Sequence, residues 1–121
     1  MSKAKILVVD DSPTHLKLAS DPLTESGYQV VTASDGEEAL AKVESEMPAL
    51  VVLDVIMPKM NGFQVCRKIK TTPELREIKV LMCTSKTQES DKFWGKKQGA
   101  DAYLTKPFTD NELLEAVTDL L

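Results

Sequence analysis

Five short apolar runs divide the 121-residue chain: Ile6 to Val9, Gln29 to Ala33, Leu50 to Leu53, Val80 to Cys83 and Ala102 to Leu104. Three of them are continuous rather than alternating, the pattern of strands covered on both faces. The segments between them have helical spacing and readable ends. Ser12 can cap a first helix with Pro13 in its first turn, Leu16, Ala19 and Leu23 on its inner face, and Gly27 as its stop. Ser34 to Glu37 reads as a capping box for a second helix that continues through Ala39, Leu40 and Val43. A third is expected from about Asn61, turning Phe63, Val65, Cys66 and Ile69 inward, and a fourth over roughly Glu89 to Gln98, stopped by Gly99. The last opens with a capping box from Thr109 to Glu112 and buries Leu113, Leu114 and Val117. Pro22 falls inside the first helix and removes the bond to the Leu18 carbonyl, so a kink or break is expected there.

Five alternations of strand and helix force parallel pairing, with helices on both faces of the sheet. A closed eight-fold barrel needs about 200 residues or more. The expected fold is therefore an open five-stranded parallel α/β sheet in one domain, residues 1–121, with a rather long connection at residues 70–78.

Fifteen basic residues against nineteen acidic ones leave a net charge of −4, which argues against nucleic acid or an anionic membrane as the main partner. No window approaches the length of a membrane span, and the apolar run near the N-terminus is too short for a secretory signal. A cytoplasmic location is the expectation. Cys66 and Cys83 lack metal-ligand spacing and read as small core hydrophobes.

In an open parallel sheet, ligands bind beyond the carboxyl ends of the strands. There the first strand delivers Asp10 and Asp11, the third Asp54, the fourth Thr84 and Ser85, and the fifth Lys106 followed by Pro107. Taken singly, each has an ordinary turn or capping role. Their arrival at the same end of separate strands is what points to chemistry. If the first and third strands are neighbours, three carboxylates crowd together and repel, which favours a hard divalent cation such as Mg²⁺. Asp54 is then the best-placed nucleophile for a phosphoryl group. Lys106 is the fixed positive charge, and Thr84 supplies a hydroxyl for a phosphoryl oxygen. Pro107 holds the turn that aims Lys106, with a cis bond as one way to do so.

The stretches "VVDDS" at 8–12, "VVLDVIMPKMNG" at 51–62, "CTS" at 83–85 and "GADAYLTKPF" at 99–108 resemble the receiver domain of bacterial two-component response regulators, of the CheY type. The resemblance spans nearly the whole chain and includes the intervals from Asp54 to Thr84 and from Thr84 to Lys106. It implies a flavodoxin-like three-layer sandwich with strand order 2-1-3-4-5. It also implies a phosphoacceptor signalling protein rather than an enzyme, in which Asp54 takes a phosphoryl group from a histidine kinase, a phosphotransfer protein or a small donor such as acetyl phosphate. By the same resemblance Asp11, Asp54 and the backbone carbonyl of Ile56 bind Mg²⁺ directly, and Asp10 acts largely through water. Thr84 and Tyr103 are the switch pair, acting on a surface built from the fourth helix, fifth strand and last helix. The implied partners are the kinase and a downstream target protein, with chemotaxis or pilus motility as candidate outputs and no direct nucleic-acid or membrane contact. The chain is a monomer or a dimer formed on phosphorylation, and either a whole protein or a receiver cut from a longer one.

Ser85 stands where the family frequently has Ala, and Ile56 and Lys86 flank the family's route for hydrolytic water. Trp94 and the lysines at 86, 92, 96 and 97 read as a solvated, partly packed helix, and His15 as a residue on the outer side of the first helix. Rival readings fit less well. A haloacid dehalogenase phosphatase needs an acid at position 56, and a flavodoxin-like nucleotide binder needs a Gly/Ser/Thr-rich cradle after the first strand. An interaction module that had lost phosphorylation is the minority reading, since all the expected site residues are present, and incubation with Mg²⁺ and acetyl phosphate decides it.

Overall fold

The computed structural model describes residues 3–57, 60–85 and 99–121. Five strands, β1 (Lys5–Val9), β2 (Gln29–Ala33), β3 (Leu50–Asp54), β4 (Lys79–Ser85) and β5 (Ala102–Lys106), form one parallel sheet of order β2-β1-β3-β4-β5. The four helices among the described residues are α1 (Pro13–Glu25), α2 (Gly36–Glu46), α3 (Gly62–Thr71) and α4 (Asp110–Leu120). The order matches that implied by the resemblance. The fourth helix expected near 89–98, with Lys86 and Trp94, and the side chain of Ser85 lie outside the described residues.

Alternation along the strands divides the core into two layers. Leu7, Val9, Val51, Leu53, Val80 and Met82 face α2 and α3 through Ala39, Val43, Val65, Cys66 and Ile69. Ile6, Val8, Leu50, Val52, Leu81 and Cys83 face α1 and α4 through Ala19, Leu23, Leu113 and Val117. Register brings the carboxyl ends level: Val9 opposes Leu53, Asp54 opposes Cys83, and Ser85 opposes Lys106.

Helix ends follow the local chemistry with one displacement. Ser12 caps α1 and Gly27 ends it at φ 97°, while Asn61 and Thr109 cap α3 and α4 through capping boxes with Gln64 and Glu112. For α2 the cap is Asp35 rather than Ser34, its side chain accepting from the Glu38 N–H at 2.8 Å. Glu38 in turn accepts from the Ser34 N–H and hydroxyl, at 2.6 and 3.0 Å, so the cap is one residue later than expected and the reciprocal bond reaches Ser34 rather than the cap's own N–H. Helix α1 does not break at Pro22 but runs on to Glu25. The Pro22 ring is buried, and Leu18, whose carbonyl loses its helical donor, is 61% exposed. Burial of the ring offsets the lost bond, and the bereft carbonyl belongs to a residue that water reaches.

The long connection after α3 is held at both ends. Leu75 and Ile78 are buried, and Lys70 donates to the Ile78 carbonyl at 2.8 Å while pairing with Asp101 at 2.8 Å. Asp101 also accepts from the Val80 N–H at 2.8 Å, which ties the entries of β4 and β5 together.

Candidate functional site

The side chains at the carboxyl edge inherit their direction from the strands that carry them. Asp10, Asp54 and Lys106 share the alternation of Val8, Val52 and Leu104, so they project on the side covered by α1 and α4. Lys106 Nζ donates to Asp10 Oδ2 at 2.8 Å and lies 3.1 Å from Asp54 Oδ1. Asp10 is buried, 5% exposed, and its Oδ1 accepts from the Ser12 N–H at 3.0 Å, so it also shapes the turn into α1. Asp11, exposed beside it, completes a triad in which one carboxylate oxygen from each of Asp10, Asp11 and Asp54 lies within 4.8 Å of the others.

Burial raises the pKa of Asp54 above the ordinary carboxylate value; the charge of Lys106 opposes this, and the charges of Asp10 and Asp11 reinforce it. Burial acts on Lys106 in the opposite sense, disfavouring its charged form. The hydrogen bond it donates to Asp10 and the charges of Asp54 and Asp10 outweigh it, so the lysine sits above its usual pKa and stays an ammonium. One ammonium among three carboxylates leaves a formal excess of two negative charges. Oxygen-only donors with that excess fit a hard divalent cation and suit a soft one poorly.

Thr84 and Tyr103 are not bonded to this group. They share the alternation of Met82 and lie on the other side of the sheet, where Tyr103 packs against the α2–α3 layer. Thr84 is 1% exposed, and both its Oγ1 and the Tyr103 hydroxyl are buried without a hydrogen-bond partner among the described residues. Burial pushes the Tyr103 phenol up to about 12. Ile56, two residues beyond Asp54, has a side chain 57% exposed. The Lys106–Pro107 bond is cis.

Three residues that bear on the site were not assigned to it from the sequence. His15 is exposed, as its expected place on the outer side of the first helix requires, yet its Nδ1 lies 3.4 Å from Lys106 Nζ. Gly62 packs its backbone against the loop that follows Asp54, where a Cβ would lie 2.3 Å from the Asp54 carbonyl oxygen. Gly36 likewise admits Met60, whose carbonyl oxygen would stand 2.6 Å from an added Cβ. The turn pair Asn61-Gly62 was the signal available for the second of these. Nothing in the spacing announced the first.

Comparison with known proteins identifies the family. The family described as "Response regulator receiver domain" matches residues 6–118. Protein PilH of Pseudomonas aeruginosa is 42% identical over 118 residues, which cover 98% of each chain. The alkaline phosphatase synthesis transcriptional regulatory protein PhoP of Bacillus subtilis is 47% identical over 117 residues, but this chain spans only 48% of its length. The chemotaxis response regulator CheY4 of Vibrio cholerae superposes with a TM-score of 0.93 at 37% identity, covering 99% of this chain and 100% of that one. No helix among the described residues is long and apolar enough to cross a membrane. The chain belongs to the response regulator receiver domain family and is a phosphoacceptor of two-component signal transduction.

Proposed function

We propose that Asp54 is the phosphoryl acceptor, charged in a Mg²⁺-dependent reaction by a histidine kinase, a phosphotransfer protein or a small donor such as acetyl phosphate. The observation that carries this reading is the Lys106 ammonium bonded to Asp10 and beside Asp54 at one sheet edge, with Asp11 alongside. A carboxylate oxygen of Asp54 forms a bond to phosphorus as the donor's bond to phosphorus breaks, and the leaving group departs with that electron pair. Partial burial of Asp54 removes water that would compete with it. Lys106 redirects the N–H that faces Asp54 to an oxygen of the transferred group, and Thr84 donates its unpartnered hydroxyl to another.

Asp10, Asp11, Asp54 and the Ile56 carbonyl are the groups that would hold Mg²⁺, Asp10 largely through water. When bound, the ion supplies positive charge that offsets the charge on the phosphoryl oxygens. The chemistry is confined to gain and loss of this one group, as befits a signalling protein rather than an enzyme with a released product. Tyr103 is the switch aromatic, and its hydroxyl, buried without a partner among the described residues, supports a resting position that phosphorylation changes. The readout is the face formed by β5, α4 and the helix expected from the sequence before β5. It is offered to a downstream protein in the cytoplasm, by a monomer or a phosphorylation-dependent dimer. Similarity to PilH and CheY4 favours pilus motility or chemotaxis as the output. The net charge of −4 favours a protein target over nucleic acid.

Incubation with Mg²⁺ and acetyl phosphate, followed by intact mass measurement, tests the assignment. The parent is expected to gain one phosphoryl group, and Asp54→Ala or addition of a chelator to abolish the gain. A parent that stays unmodified, or an Asp54→Ala protein that takes up the same mass, overturns it.

A further inference from the structure

His15 is the single histidine of the chain. It stands in the first turn of α1, where its backbone N–H reaches the Ser12 hydroxyl at 3.4 Å. Its Nδ1 lies 3.4 Å from Lys106 Nζ and 3.6 Å from Asp10 Oδ2. An ammonium has only hydrogens to give, and 3.6 Å to the carboxylate is beyond hydrogen-bond reach. With its hydrogen on Nε2, the ring is an acceptor for Lys106 at Nδ1. All three N–H groups of Lys106 then have takers: Asp10 at 2.8 Å, Asp54 at 3.1 Å and His15 at 3.4 Å.

A second observation gives that third contact a purpose. A cavity of about 460 Å³ opens beside Lys106 between α1 and α4, with Leu18, Ala19, Pro107 and Phe108 in its wall. A lysine stem bordering a space of that size has room to swing away from the carboxylates, and Leu18, at 61% exposure, does not close the rim.

We propose that His15 is a positioning residue for phosphoryl transfer: by accepting the third hydrogen of Lys106 it holds the ammonium at the Asp10–Asp54 side of this cavity. The proposal rests on the role given to Lys106 above, so its first test involves no phosphorylation. With histidine labelled in nitrogen-15 the protein has one imidazole to observe. At a pH where that ring is neutral, without Mg²⁺ or phosphodonor, the Nδ1 resonance of the parent is expected upfield of the same resonance in Lys106→Met. Coincident resonances overturn the proposal. The second test compares His15→Phe, which keeps the bulk without the acceptor, with His15→Gln, which restores an acceptor. At saturating Mg²⁺ the limiting rate of phosphoryl uptake is expected to fall about five-fold in His15→Phe, the worth of one modest hydrogen bond. The half-saturating donor concentration stays unchanged, and His15→Gln recovers most of the loss. Equal rates in all three proteins, or equal losses in both variants, overturn the proposal. A parent that takes up no phosphoryl group at all defeats the reading of Asp54 instead, and the nitrogen comparison then decides the part played by His15 alone.

Discussion

The backbone of Asp54 and Val55 occupies the place where a side chain of Gly62 would go. A Cβ there would lie 2.3 Å from the Asp54 carbonyl oxygen and 2.9 Å from Val55 Cα, while the Gly62 N–H already donates to the Val55 carbonyl at 2.8 Å. Neither neighbour is a flexible side chain, so Gly62→Ala is expected to cost about 1–3 kcal/mol in urea denaturation and to slow phosphoryl uptake by moving the loop after Asp54. An alanine variant with parental stability and rate would show that the loop yields freely. Burial pushes the thiols of Cys66 and Cys83 up to about 11 and about 12 from an ordinary value of 9.0. The folded state thus holds extra protons between pH 9 and 12. The stabilisation is complete below pH 9 and is lost as the pH climbs through that window. The urea midpoint is expected to fall on going from pH 8 to 10.5, less steeply in Cys66→Ala, and iodoacetamide to modify neither thiol of the folded protein at pH 8. Asp10, Asp11, Asp54 and Lys106 were readable in the sequence because polarity changes abruptly where each apolar run stops. His15 was not, because helical spacing assigns it to a face and ignores the tilt of side chains toward the helix N-terminus. In the first turn that tilt carries the ring over the β1–α1 loop and onto the Lys106–Asp10 pair.

Caps were readable where a second residue fixed the register, as with Ser12 ahead of Pro13 and Thr109 ahead of Glu112. Before α2 two candidates stand side by side, and the choice fell to Asp35 because its side chain meets the Glu38 N–H, leaving Glu38 to reach back to Ser34. Pro22 was expected to kink or break α1; the helix does not break, since a rule about backbone bonds does not weigh the burial of its ring. The other end of α2 closes on Met47 in the left-handed region at φ 44°, a conformation that costs a residue with a Cβ. Met47→Gly is expected to raise stability by about 0.5–1 kcal/mol, the relief of the Cβ clash exceeding the entropy that glycine adds to the unfolded chain. Chemical denaturation checks it, and a lower midpoint would show that the Met47 side chain, 53% exposed, still contributes more by packing than it costs.

Alternation of strand and helix predicted a parallel open sheet from the residues themselves. It did not predict which strand lies beside which, since several orders satisfy the same pattern, and the order 2-1-3-4-5 came from family resemblance. That order is what makes β1 and β3 neighbours and brings Asp10, Asp11 and Asp54 within reach of one another. A cation bound only by the folded chain stabilises it by mass action, by about 2.7 kcal/mol at a hundred times its dissociation constant. Mg²⁺ is therefore expected to raise the melting temperature by several degrees, reversibly on chelation, and Asp11→Asn to remove most of that rise. An equal rise in the variant would move the ion elsewhere. The sheet also works as a partition. Carboxylates and lysine stand on one side of it and Thr84 with Tyr103 on the other, so the roles proposed for Asp54, Thr84 and Tyr103 put their coupling at the upper rim of β4 and β5. Damage deep in either layer should therefore weaken the protein without deafening it, whereas small changes along that rim should silence a molecule that remains perfectly sturdy.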